Sequence, residues 1–127
     1  SYYTWAHRDG ANDGIYAVMS GNNYYFNYSG DTADDIIMNK SNRTYAWVCD
    51  VSRNLDQYLD ARLLGSVNIS AKTVNVTEPN FMWGRRNDGS TIPFEGIVYQ
   101  VQIWDRVLTP IQIADWHIRA MREVNQI

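Results

Sequence analysis

Phe94-Glu95-Gly96-Ile97-Val98-Tyr99-Gln100-Val101-Gln102-Ile103-Trp104-Asp105-Arg106-Val107-Leu108-Thr109-Pro110-Ile111-Gln112 holds the plainest fold signals in the chain. Ile97, Tyr99, Val101 and Ile103 alternate with Val98, Gln100, Gln102 and Trp104. That period of two predicts a strand with one face on a core. Asp105-Arg106 breaks the alternation, and Leu108 is expected to tuck back. Thr109 can cap a helix, and Pro110 sits where a first helical residue tolerates a missing N–H. Gln112, three residues on, completes a capping box. Trp47, Val101, Ile103 and Leu108 are expected to be buried.

Outward from this stretch the chain reads as short strands split by turn residues. Ser1–Trp5, Ile15–Met19, Tyr24–Tyr28, Ile36–Met38, Thr44–Val51, Leu55–Leu59, Arg62–Leu64 and Phe81–Gly84 carry β-prone residues. Val67–Ile69 and Thr73–Val76 alternate more weakly. The segment from His7 to Gly14 reads as a loop, and Asp60-Ala61 sits where a tight turn is expected. From Pro110 the period switches: Ile111, Ala114, Ile118, Met121 and Val124 or Asn125 form an apolar stripe, which predicts a helix over 110–123. His117 falls off that stripe beside Trp116, as a surface or packing residue. Strands about ten residues apart with one terminal helix predict an all-β, antiparallel two-sheet sandwich.

The 127 residues are one domain's worth of chain, large enough for a core. Net charge is −3 with a pI near 5.2, and no basic stripe is present, so nucleic acid is not an expected partner. No apolar run reaches a membrane span and no secretory leader is visible, so membrane insertion is not expected. The chain opens at Ser1 without Met, which reads as the start of a processed product or of a piece of a longer protein. Cys49 is the one cysteine, which excludes an internal disulfide and a thiolate zinc site. The five Trp and nine Tyr fit a sandwich core, or rings that stack on sugars or on a partner protein. Asn-x-Ser/Thr triplets occur at Asn27, Asn39, Asn42, Asn68 and Asn75; composition alone accounts for about 1.4. Both a glycosylated surface and a merely Asn-rich polar chain fit that excess.

Several stretches resemble one group. The pattern Phe94-x-Gly96, then Val101-x-Ile103-Trp104-Asp105-x-Val107-Leu108-Thr109-Pro110-x-x-Ile113, resembles the C-terminal signature of concanavalin A-like lectin/glucanase folds. The laminin G-like and pentraxin-like branches are nearest. Trp47-Val48-Cys49 followed by Tyr58-Leu59-Asp60-Ala61-Arg62 resembles the pentraxin succession of a tryptophan strand and a strand ending in Asp-Gly. Ser1-Tyr2-Tyr3-Thr4 resembles the start of an inner strand, and Phe81-Met82-Trp83-Gly84 the strand before the family's functional loop. The resemblance runs from Ser1 to about Trp116. It implies a jelly roll, a single laminin G-like/pentraxin-like domain over 1–127, and one or two further strands ahead of the position of Ser1.

Chemistry is sparser. Glucanases need paired carboxylates across a cleft. The chain has only Glu78, Glu95 and Glu123 among glutamates, and Asp34-Asp35 alternate faces if extended. A non-enzyme is expected, with a hydrolase a distant third reading. Calcium wants six to eight oxygens. The pentraxin resemblance puts Asn12-Asp13 where that family has a reversed Asp-Asn pair. It puts Asn87 and Asp88 on an amide and an aspartate ligand, and Arg86 on a glutamate ligand. A cation there adds about 4 kcal/mol of repulsion per unit charge at 4 Å in an effective dielectric of 20. The double calcium site therefore looks lost, leaving at most one weakly held ion between Asp13 and Asp88; no cofactor is expected.

The expected site is the loop from Gly84 to Pro93, with Trp83, Arg85, Arg86, Asn87 and Asp88 as ligand-binding residues for a glycan or glycoprotein. Arg and Asn offer forked donors, and a Trp face suits a sugar ring. Such a carbohydrate-binding or adhesion module belongs on an extracellular, cell or virion surface. The competing expectation is a structural or decoration domain that contacts neighbouring subunits of a large assembly.

Overall fold

The computed structural model describes residues 2–9, 13–20, 23–28, 31–32, 36–37, 43–71, 82–83 and 96–125, with side chains for Ala17, 43–71 and 96–125. The chain divides into two compact units, Ser1–Asn39 with Ile69–Gly96, and Lys40–Asn68 with Ile97–Ile127.

In the first unit β1 (Tyr2–Asp9), β2 (Asp13–Ser20) and β3 (Asn23–Tyr28) form an antiparallel meander, extended by β4 (Asp31–Thr32) and β5 (Ile36–Ile37) on β3. A later strand, β9 (Met82–Trp83), pairs antiparallel with β1 and closes the other edge. His7–Asp9 and Asp13–Gly14 were expected in a loop and lie in strands instead. Only residues 10–12 separate β1 from β2, which pair antiparallel from Asp9 opposite Asp13 onward. A shift between Tyr3 and Trp5 leaves Thr4 without an opposite residue, as in a β-bulge. Ala17, central in β2, is fully buried.

In the second unit β6 (Tyr45–Cys49), β7 (Asn54–Leu59) and β8 (Arg62–Asn68) make a three-stranded antiparallel sheet. β8 is one strand where two shorter ones were expected, with Leu64 bulged between Leu63 and Gly65. Leu59 and Arg62 close a two-residue hairpin over Asp60-Ala61, whose φ values are 49° and 65°. Both residues are left-handed, as a turn matching the strand twist requires. Leu55, Gln57 and Tyr58 are buried. The Gln57 amide is satisfied by its cross-strand partner: Trp47 Nε1 donates to Gln57 Oε1 at 3.1 Å. Trp47 is half-buried rather than buried, since this bond holds its ring on the sheet face, stacked 6.3 Å from Tyr45.

The helix α1 (Pro110–Asn125) starts where the capping box puts it. Gln112 N donates to Thr109 Oγ1 at 3.2 Å, Thr109 N donates to Gln112 Oε1 at 2.9 Å, and Ile113 N donates to Thr109 O at 3.0 Å. The buried face overlaps the expected stripe in part: Ala114, Met121 and Val124 are half-buried, but Ile111 and Ile118 are exposed, and Ile113 and Ala120, outside the stripe, are buried. A polar contact selects this face: Thr44 Oγ1 and His117 Nδ1 are 2.7 Å apart, so the helix seats with His117 and Trp116 half-buried.

The stretch Ile97–Trp104 departs furthest from expectation. It forms no strand, Val101 and Ile103 are exposed, and Leu108 is half-buried. Alternation makes a segment competent for a sheet, but a strand exists only when an edge hydrogen-bonds to it. Here the bend at Gly96 and the bend at Asp105-Arg106 frame a run without regular secondary structure. Its side-chain tie is to the helix, from Gln100 Nε2 to Glu123 Oε2 at 3.2 Å.

Candidate functional site

The expected loop follows β9, the last strand of the larger sheet among the described residues. Register sets Trp83 opposite Trp5, Trp5 opposite Ala17, and Ala17 opposite Phe26, so these four positions form one row across β9, β1, β2 and β3. Residues in such a row share a sheet face. Ala17, inside the row, has 0% exposure. Arg85, Arg86, Asn87 and Asp88 lie outside the described residues.

Asp13 begins β2 and stands opposite Asp9 at the far end of β1. Directly opposed like charges are destabilising by about 0.2–1 kcal/mol. Asp9 was not among the expected residues; the signal was the short Gly-containing gap between the two aspartates. β9 runs antiparallel to β1, so the chain leaves Trp83 toward the Tyr2 end of β1 while Asp13 sits at the Asp9 end. A calcium ion shared by Asp13 and Asp88 therefore requires the loop to fold back past four residues of β1, about 13 Å at ~3.3 Å per residue. Among the described residues no cluster of His, Cys, Asp and Glu is arranged to hold a metal. Among them, too, no helix is long and apolar enough to cross a membrane.

The second unit holds a polar cluster that the sequence did not announce. Asp60, in its left-handed turn, pairs with Arg43 and accepts from Thr44 N at 3.1 Å, while Asp60 N donates to Thr44 O at 2.9 Å. Thr44 then meets His117 across 73 residues of chain. Burial first and the Asp60 charge second push the Tyr45 phenol up to about 12, with Arg43 opposing the rise. A hydroxyl against an imidazole is the form of a nucleophile and its base. The arrangement here is that of a structural link: Thr44 is only 8% exposed, and Asp60 bonds the Thr44 backbone rather than orienting His117.

A third cluster closes the β6–β7 hairpin. Asp50 accepts from Asn54 N at 2.8 Å and Asn54 Nδ2 at 2.9 Å, bonds that hold its carboxyl below the usual range. Asn68 Nδ2 donates to Ser52 O at 3.2 Å and to Asn54 Oδ1 at 2.8 Å. Of the five Asn-x-Ser/Thr positions, Asn68 thus serves as a clamp between β8 and the hairpin. Asn27 stands on β3 opposite Tyr16 and Thr32. Asn39, Asn42 and Asn75 lie outside the described residues.

A laminin G family model, described as the concanavalin A-like lectin/glucanases superfamily, matches residues 1–114. The match spans the strands of both units, residues 84–93 and the helix start. No curated protein and no solved structure matches the chain.

Proposed function

The chain belongs to the concanavalin A-like lectin/glucanase superfamily, and we propose that within it this chain is a non-catalytic carbohydrate-binding or adhesion module. The proposed architecture is the family's two-sheet jelly roll. The observation that carries the reading is the family match over residues 1–114, which includes the whole loop that follows the edge strand β9. A loop that follows a sheet strand is the usual setting for recognition residues. Arg85 and Arg86 supply forked donors, Asn87 an amide, Asp88 an acceptor and Trp83 an aromatic surface at the base. Two arginines favour acidic glycans. No paired acid is proposed to act on a glycosidic bond. The ligand is a glycan or glycoprotein, met on an extracellular, cell or virion surface.

The experiment is a glycan array that includes acidic glycans, followed by titration of any hit against the Arg86→Ala/Asp88→Ala double variant. Folding stability should change by no more than about 0.5 kcal/mol, as for ordinary surface sites. Binding should weaken by about 1.5–3 kcal/mol through lost charge-assisted hydrogen bonds. An empty array, or a double variant that binds as the parent does, removes the loop from consideration. A second reading, a structural domain of a larger assembly, is favoured by one specific observation: the exposed apolar run Ile97–Trp104.

A further inference from the structure

We draw no further inference here: the strongest candidate, the face of the β1–β3 sheet opposite the covered Ala17, where the register sets Tyr3 and Tyr25 beside Val18 and Asn27 beside Tyr16, carries none because nothing in the structure shows what covers it.

Discussion

Ala61→Gly should stabilise the protein, which is an unusual direction for a point substitution. Ala61 has φ of 65° in the β7–β8 turn, beside Asp60 at 49°. Asp tolerates this region through its short polar side chain, but an alanine Cβ crowds the following carbonyl at a cost of about 1–2 kcal/mol. Glycine removes that cost and gives back about 0.4–1 kcal/mol through the greater freedom of the unfolded chain. Ala61 is only half-buried, so little packing is lost with its methyl. The net gain is about 0.5–1 kcal/mol. With a urea slope of about 1.5 kcal/mol per molar, the unfolding midpoint should rise by roughly 0.3–0.7 M at unchanged slope. Ala61→Val, which puts a β-branched residue in the same region, should lower it. An Ala61→Gly midpoint at or below the parent's would show that the left-handed turn is not the folded conformation, and the Asp60–Thr44 contacts that depend on it would fall too.

Thr109→Ala removes one half of the reciprocal capping box and should cost about 1 kcal/mol in urea unfolding, with Thr109→Ser restoring most of it. Tyr45 ionises near 10 in the unfolded chain but only near 12 when folded. Between those values the unfolded state loses the proton first, so the Tyr45 contribution to stability is constant below about pH 10 and falls from there toward pH 12. Urea midpoints at about pH 9 and about pH 11 should therefore differ, and Tyr45→Phe should shrink the difference. Excess chelator should leave the thermal midpoint nearly unchanged, because Arg86 stands where the pentraxin resemblance has a ligand. A large fall restored by calcium would reinstate a metal site.

The helix start was fully legible, because capping is local: Thr109, Pro110 and Gln112 lie within four residues and satisfy one another without help from the rest of the chain. The two-residue turn at Asp60-Ala61 and the strands β2, β3, β6 and β7 were legible for the same reason. So was the family, since its C-terminal signature is a contiguous string. The rest depended on partners distant in sequence. Which part of the apolar stripe is covered depends on partners far away in sequence, such as the hydrogen bond between Thr44 and His117, 73 residues apart. Periodicity marks Ile97–Trp104 as able to join a sheet, but whether it does so turns on an available edge, a fact of tertiary structure. Local residues set conformational preference over a few bonds; burial and pairing are set by surfaces that meet only after the chain has folded.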